Sequence, residues 1–444
     1  MSQEILQRAI EDNVKFMCMQ FTDVTGAVKS VDIPIQRLKT AIQEGVWFDG
    51  SSVEGFARIQ ESDMRLIPDT DTYVVLPWSQ PERRRARVFC DIYQPDGMQF
   101  PGDPRGVLKR TLQRLKDRAW SYNVGPEPEF FLLRKHAPDS IHPVPHDVGG
   151  YFDFSASDEA QRVRTELMLA LESMDLEIEA GHHEVSRGQH EIDFHFADAM
   201  RAADNVVTLK YTIRALAAQQ GLIATFMPKP IFGVNGSGMH VHQSIFDSEG
   251  RNIFFDPEDD YHLSSTAYGF IAGQMAHARA LAAIVAPTVN SYKRIVPGYE
   301  APVYVCWAQI NRSAMIRIPS FTPGRESSTR AELRFPDPSC NPYLAFAVML
   351  SAGLDGIDGE FSCPPPVNEL NIFEMSEAAL EEHGISQLPG SLGEALDELD
   401  RDPVIKDTLG PEAYKAFVRA KRSEWDEYRT RVMDWEVEYY LETA

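Results

Sequence analysis

Three short segments of this chain alternate polar or charged side chains with apolar ones, and that spacing constrains the fold more than any other feature. In a strand, successive side chains point to opposite faces, so residues two apart share a face. Arg330-Ala-Glu332-Leu-Arg334 would set a carboxylate between two cations on one face. Glu127-Pro-Glu129 would set two carboxylates there, and His240-Val-His242-Gln-Ser244 two imidazoles and a hydroxyl. A solvated strand also alternates polar with apolar. Three such segments, each holding metal- or phosphate-binding chemistry, are much harder to explain as surface.

At 444 residues the chain exceeds one ordinary core, and two domains are expected on a prior of roughly 150 residues per domain. The net charge of -23, from 43 basic and 66 acidic residues, argues against nucleic acid or an anionic membrane as the main partner. An anionic substrate must then be drawn in by a local cluster of arginines. Cys18, Cys90, Cys306, Cys340 and Cys363 are scattered with no C-x-x-C pair, a reduced, intracellular set without a thiolate metal site. The first residues, MSQEILQRAIEDNVKF, have neither the cationic start nor the apolar core of a signal peptide. No apolar run approaches the ~20 residues of a membrane span. A cytoplasmic protein with no membrane partner is expected.

Residues 2–13 read as a short helix, and Lys15–Phe21 and Val28–Ile33 as strands around an Asp23-Val-Thr-Gly26 turn. Thr72–Leu76 and Ala86–Ile92 are also strand-like, so residues 1–103 are expected to form a small sheet-rich domain. Asp103-Pro104 supplies an N-cap and a first-position proline, and the second domain, 104–444, is placed from there. Helices fit 158–174, 202–220 and 264–286, and the stretch from about 391 reads as wholly helical. In it Trp425, Tyr428, Val432, Trp435 and Tyr439 form one amphipathic stripe.

Glu127 and Glu129 sit in an otherwise apolar strand, where a carboxylate must be paired or hold a cation. Glu184 and Glu191 flank a turn at Ser186-Arg-Gly-Gln189, and a hairpin there would bring both to one site. With His240 and Glu332 they make an oxygen-rich set suited to Mg2+ or Mn2+. His190-Glu-Ile-Asp-Phe-His195 is one residue too long for a zinc H-E-x-x-H motif. The competing reading of the glutamates is ion pairing with nearby arginines.

Arg294, Arg312, Arg317, Arg330 and Arg334 suit a phosphorylated or carboxylate substrate, since the guanidinium forms bidentate pairs with both. There is no Walker A sequence, and Gly233-Val-Asn-Gly236-Ser-Gly238 has the wrong order for a dinucleotide fingerprint. It is equally a tight turn. Use of ATP without a P-loop would need a metal-lined site, which the glutamates offer.

Taken together, the chain resembles glutamine synthetase of the bacterial class I type over almost its whole length. The resemblance is carried by Trp47-Phe-Asp-Gly-Ser-Ser52, Gly125-Pro-Glu-Pro-Glu129, Gly181-His-His-Glu184, Gln189-His-Glu191, Lys229-Pro230 and Asn235-Gly-Ser-Gly-Met-His240. It continues through Asn290–Arg294, Pro297–Pro302, Asn311-Arg312-Ser313, Arg330–Arg334, Pro336–Pro338 and Asn341–Tyr343. It implies an α+β protein with a small β-grasp-like N-terminal domain and a large α/β catalytic domain whose antiparallel sheet lines the site. It also implies a homododecamer of two stacked hexameric rings, with active sites between neighbours of a ring and the C-terminal stripe binding the opposite ring.

The implied substrates are L-glutamate, ammonium and ATP, with two or more Mg2+ or Mn2+ ions per site. By the same resemblance, Glu129, Glu184 and Glu191 ligate one ion, and Glu127, His240 and Glu332 the other. Arg294 would grip the substrate carboxylate, with Asn235, Gly236 and Arg334 in the same pocket, while Arg312 and Arg317 face the transferred phosphate. Glu179, His242, Ser244 and Arg330 match nucleotide-side positions. Asp49, from the neighbouring subunit, would deprotonate ammonium, and Glu300 matches a flap glutamate that closes the site.

Two features depart from the commonest pattern. The loop Ile318–Thr329 is longer than in closely similar members, with Ser327 where some carry lysine and Arg325 nearby as a substitute. Asn371-Ile-Phe-Glu-Met-Ser376 lacks the tyrosine that the β-subtype presents for adenylylation. The chain instead resembles the α-subtype, in which an arginine at the position of Arg58 relays feedback inhibition by glutamine. The nearest alternative function is a γ-glutamyl-amine ligase using a primary amine or polyamine, and a further one is an inactive scaffold. Retention of Asp49-Gly-Ser-Ser52 argues against the first, and the complete set of metal-type side chains against the second.

Overall fold

The computed structural model describes residues 2–51, 53, 63–135, 142–154, 159–311, 313–368, 372 and 375–444. Arg58, Arg312 and Phe373 lie outside them.

Among the described residues two sheets dominate. The first has five strands: β1 (Phe16–Thr22), β2 (Val28–Pro34), β3 (Val46–Asp49), β4 (Asp63–Val75) and β5 (Arg85–Tyr93), in the order β2-β1-β5-β4-β3. β1 runs parallel to β5, and the remaining neighbours are antiparallel. Helices α1 (Ser2–Glu11) and α2 (Leu38–Glu44) cover it. Ile5, Ala9, Leu38 and Ala41 share a separate small core there with Met17, Met19, Leu66, Val88 and Ile92. The expected strands are present; the one expected at Thr72–Leu76 is the end of a longer strand, β4.

Helix α3 (Pro104–Lys116) follows, with the Asp103 side chain accepting the Arg105 backbone N–H at 3.1 Å. Arg105 then bolts the two sheets' layers together. Its guanidinium reaches Asp69 on β4 at 2.7 Å, Asp91 on β5 at 2.9 Å and Asp204 on helix α5 at 3.0 Å, where α4 is Glu159–Glu172 and α5 is Ala199–Gln219. A charge this buried is tolerated only because three carboxylates surround it.

The second sheet is built on β6 (Ser121–Arg134). Its order is β13-β14-β15-β11-β6-β8-β7, with β9 and β10 also pairing to β6. These strands are β7 (Ile178–His183), β8 (Gln189–Phe194), β9 (Ala197–Asp198), β10 (Leu222–Thr225), β11 (Met239–Phe246), β13 (Trp307–Ala308), β14 (Ile316–Arg317) and β15 (Ala331–Leu333). A two-stranded pair joins β12 (Tyr304–Val305) to β16 (Ser386–Gln387).

The apolar face of this sheet lies against α5, α6 (Ser265–Ala276) and α8 (Pro342–Asp358), and behind them come α9 (Glu377–Glu382), α10 (Leu392–Arg401) and α11 (Pro403–Arg429). Helix α8 has no counterpart among the helices expected from sequence. Pro342–Leu354 are buried on every side, so the segment shows no amphipathic period to read. The helix is capped by Asn341, which accepts from the Tyr343 N–H at 3.1 Å and donates to the Asp23 carbonyl at 3.1 Å. One of its ends is therefore tied to the N-terminal sheet. No helix among the described residues is long and apolar enough to cross a membrane.

The C-terminal stripe is split. Trp425 belongs to α11 and packs on this chain's core, then α11 ends at Arg429. Val432, Trp435 and Tyr439 stand exposed on and before α12 (Asp434–Tyr440).

The helix expected over 264–286 is also two helices, α6 and α7 (Ala278–Val285), broken at His277. Its imidazole sits between Asp402 (2.7 Å from Nδ1) and Asp355 (3.0 Å from Nε2). With a carboxylate at each nitrogen, both nitrogens must donate. Burial acts to lower the His277 pKa, but hydrogen bonds to the two aspartates prevail and raise it. The stability from this bridge is complete below the unfolded value of about 6.5 and is lost as pH rises through the elevated folded value. Thermal melts of wild type and His277→Gln between about pH 6 and pH 9 should therefore converge as pH rises. A gap between them that stays constant or widens would show that the imidazolium does not supply the bridge.

Candidate active site

The strands that carry the site share one alternation. On β6, Tyr122, Val124, Phe130 and Leu132 enter the core, and Glu127 and Glu129 project from the other face. On β11, Met239, Val241 and Ile245 go inward and His240, His242 and Ser244 outward. On β8, Ile192 and Phe194 go inward, leaving Gln189, Glu191 and Asp193 outward. Glu332 on β15 lies between buried Ala331 and Leu333. Register then sets the neighbours: His240 is opposite Glu127, His242 opposite Glu332, and Glu129 opposite Glu191.

A cavity of about 500 Å3 opens over this face. Glu127, Glu129, Glu184, Glu191, His240 and Glu332 all line it, as do Asn235, Gly236, Arg294, Glu300, Arg317 and Arg334. The expected hairpin is present, with the Glu184 N–H donating to the Gln189 carbonyl at 2.8 Å. A second cavity of about 390 Å3 is lined by Glu179, His242, Ser244 and Arg330, together with Arg325 and Ser327 of the long loop. Glu127 belongs to the walls of both cavities. Asp49 lies on edge strand β3 of the other sheet, where its side chain accepts the Ser51 N–H, and it lines neither cavity.

Electrostatics divide the site into two halves. Glu332 receives Arg334 at 2.7 Å and Arg317 at 2.8 Å. Burial pushes its carboxyl up, but His240, Arg334 and Arg317 prevail and bring it down to about 2. His240 is itself driven down to about 3 by burial and by Arg334. It is thus a neutral imidazole, and the arginines carry the effect. Glu127, His240 and Glu332 place ligand atoms within 4.8 Å of one another. Ion pairing with arginine, the competing reading of the glutamates, therefore holds for Glu332.

In the other half no arginine forms an ion pair with Glu129 or Glu191 among the described residues, and Arg294 and Arg334 act on Glu129 only at longer range. Glu129 and Glu191, both buried, face each other across the β6–β8 ladder, an arrangement that destabilises a sheet. Burial pushes both carboxyls up, Glu184 further raises Glu129, and Glu129 further raises Glu191. A divalent cation satisfies this donor set of oxygens, and an imidazole at its edge is compatible with Mg2+ or Mn2+. Glu184 is turned onto His182 at 2.8 Å. Glu129 accepts from Gln189 at 2.7 Å and from the Gly238 N–H at 3.1 Å.

Arg294 is fully engaged on one side, donating to the carbonyls of Phe335 (2.9 Å) and Arg334 (3.1 Å). The glycine-rich segment leaves room for it, because a Cβ on Gly238 would stand 2.4 Å from Arg294 Nη2. The segment at Glu300 sits over the mouth. Its carboxylate accepts from Asn235 at 3.0 Å, and the Tyr299 ring covers Lys229 Nζ at 3.4 Å. Asp193 is a further polar residue of this face, lining the second cavity, and Gln189, Glu191 and Asp193 have the spacing of two used elsewhere. Tyr151 and His182 reach the first cavity from a loop and a strand end, with no periodic signal in the sequence to mark them.

Residues 13–95 match the family model described as glutamine synthetase, beta-Grasp domain, and residues 101–440 that of glutamine synthetase, catalytic domain. The chain is 50% identical over 442 residues to the glutamine synthetase of Halobacterium salinarum, spanning 98% of this chain and 96% of that one. It is 50% identical over 444 residues to that of Thermus thermophilus, spanning 99% and 98%. Among solved structures it superposes on a GmaS/ADP complex with TM-score 0.88 at 32% identity, covering 98% of this chain and 99% of that one. With glutamine synthetase of Plasmodium falciparum the TM-score is 0.88 at 24% identity, covering 99% and 98%, a likeness of fold.

Burial and mutual repulsion favour the protonated forms of Glu129 and Glu191 in the cation-free protein, so binding an ion should displace protons. Mn2+ should therefore bind more tightly as pH rises and should release protons as it binds. Calorimetric titration in buffers of different ionisation enthalpy measures that release, which Glu191→Gln should diminish. Binding without proton release would contradict the reading of this half of the site.

Proposed function

The chain belongs to the glutamine synthetase family, and on that premise we propose how its cavity ligates ammonia to L-glutamate with ATP, giving L-glutamine, ADP and phosphate. The observation that carries the reading is that five glutamates and a histidine from separate segments line one cavity with Arg294, Arg317 and Arg334, beside a second cavity lined by Arg325 and Arg330. We assign one divalent ion to Glu129, Glu184 and Glu191 and another to Glu127, His240 and Glu332. Bound divalent ions offset the charge of the polyphosphate and of the transferring phosphoryl group.

Glutamate enters with its carboxylate toward Arg294, Asn235, Gly236 and Arg334, and ATP fills the second cavity along Glu179, His242, Ser244 and Arg330. Glu127, shared by the two cavities, marks where the γ-phosphoryl meets the substrate. The γ-carboxylate oxygen attacks the γ-phosphorus, ADP leaves, and γ-glutamyl phosphate forms with Arg317 and Arg312 facing the transferred group. Ammonium is not nucleophilic, so a base must take its proton before nitrogen attacks the acyl carbon and phosphate departs. Asp49 takes this role from a neighbouring subunit, in keeping with its position away from the cavity of its own chain. Closure of Glu300 over the mouth keeps water from the acyl phosphate.

The assembly we propose is a dodecamer of two hexameric rings working in the cytoplasm. The exposed Val432, Trp435 and Tyr439 support an inter-ring role for the C-terminus, and the free cysteines support a reducing compartment. We further assign the chain to the α-subtype, feedback-inhibited through Arg58 and not adenylylated, on the strength of Phe373 in place of an acceptor tyrosine.

Glutamate-dependent ADP release with ammonium and with a panel of primary amines tests the substrate, and ammonium should be preferred. Asp49→Ala should still form γ-glutamyl phosphate yet lose ammonia-dependent turnover by on the order of a hundredfold or more. Glu332→Ala should be inactive. Rings mixed from the two inactive variants should regain activity at interfaces where an intact Asp49 meets an intact Glu332. Confirmed mixing without recovery would show that Asp49 does not act across subunits.

A further inference from the structure

On the sheet face opposite the cavity, behind the β7–β8 hairpin, three histidines meet one aspartate. Asp147 comes from a loop held by the His146 N–H on the Leu132 carbonyl at 3.3 Å and by Arg134 on the His146 carbonyl at 2.9 Å. Its carboxylate accepts the Gly188 N–H at 2.7 Å and lies 3.1 Å from Nε2 of both His183 and His146. His183, His146 and His190 are all buried.

The directions of the hydrogen bonds decide what this cluster can hold. Arg164 Nη1 stands 3.0 Å from His190 Nδ1, and a guanidinium only donates. That nitrogen is therefore bare, and the His190 proton sits on Nε2, facing His146 Nε2 at 3.2 Å. A protonated Nε2 has no lone pair for an ion, so His190 is no ligand in this arrangement, and Asp147 is held by hydrogen bonds from Gly188 and His183. His183 presents Nε2 to Asp147 and Nδ1 to the Glu184 carbonyl at 2.6 Å.

Asp147 thus grips the hairpin at both ends of its turn. It holds Gly188 directly, three residues before Glu191, and it holds the Glu184 carbonyl through His183. We propose that Asp147 is a positioning residue which, from behind the sheet, fixes the β7–β8 turn in the shape that brings Glu184 and Glu191 together over the cavity. It touches neither substrate nor ion, and its effect is preorganisation of one ion site. The inference rests on the assignment of Glu184 and Glu191 to a common ion.

Full-length wild type, Asp147→Asn and Glu184→Gln are titrated with Mn2+ alone, free Mn2+ being followed by electron paramagnetic resonance. Glu184→Gln should lose one class of bound ion. Asp147→Asn should weaken that same class by about 10–100-fold, the usual cost of removing a partner behind a ligand. The other class and the assembly size should match wild type. If Asp147→Asn does not fold, His183→Gln carries the same expectation, since it keeps a donor toward Asp147 and loses the one to Glu184. Unchanged Mn2+ affinity overturns the proposal, and so does equal weakening of both classes, which general loosening would produce. If Glu184→Gln removes no class of ion, the ion assignment itself fails and the proposal falls with it.

Discussion

A sheet with one apolar and one acidic face is the constraint on which the rest of this molecule depends. Strand side chains alternate strictly, so a slip of one residue in any ladder would bury the carboxylates under α5, α6 and α8 and expose the core to water. The apolar face is what prevents the slip. Tyr122, Val124, Phe130, Leu132, Met239, Val241, Ile192 and Leu333 all belong to one continuous core. Its packing holds the opposite face in register even though Glu129 and Glu191 repel there.

That repulsion gives the site its chemical character. Two buried carboxylates placed directly opposite each other are stable only protonated or with a cation between them. Across β6 the logic is reversed, because Arg334 and Arg317 hold Glu332 ionised without help. One half of the cavity asks for positive charge, and the other already has some to offer an anion. Glu127 stands where the halves and the two cavities meet. The arrangement suits a reaction that carries a phosphoryl group from one side to the other.

Legibility followed local periodicity. The alternation in Glu127–Glu129, His240–Ser244 and Arg330–Arg334 was readable because a strand's period is short and each segment contains its own pattern. Helix α8 was not readable, since a helix buried on all sides has no polar face to reveal its period. The break at His277 and the end of α11 at Arg429 escaped for a related reason. An amphipathic stripe continues in sequence across a break that only distant partners, Asp355 and Asp402 in the first case, impose. The ion-pair reading of the glutamates could not be settled locally either, for Glu332 takes Arg317 from an adjacent strand besides Arg334 two residues on, and Glu191 has no arginine ion pair among the described residues.

The sequence by itself determined which side chains share a face, where α3 begins, and that the chemistry is that of carboxylates, one imidazole and arginines. Those are properties of residues close together along the chain. Only the tertiary structure decided that Glu129 faces Glu191, that Glu127 is shared between two cavities, that Asp49 lies away from both, and that Asp147 grips the hairpin from behind. Each of these joins residues distant in sequence, and ladder register and core packing bring them together. No local pattern encodes such a meeting, because it depends on how the whole apolar face is buried at once.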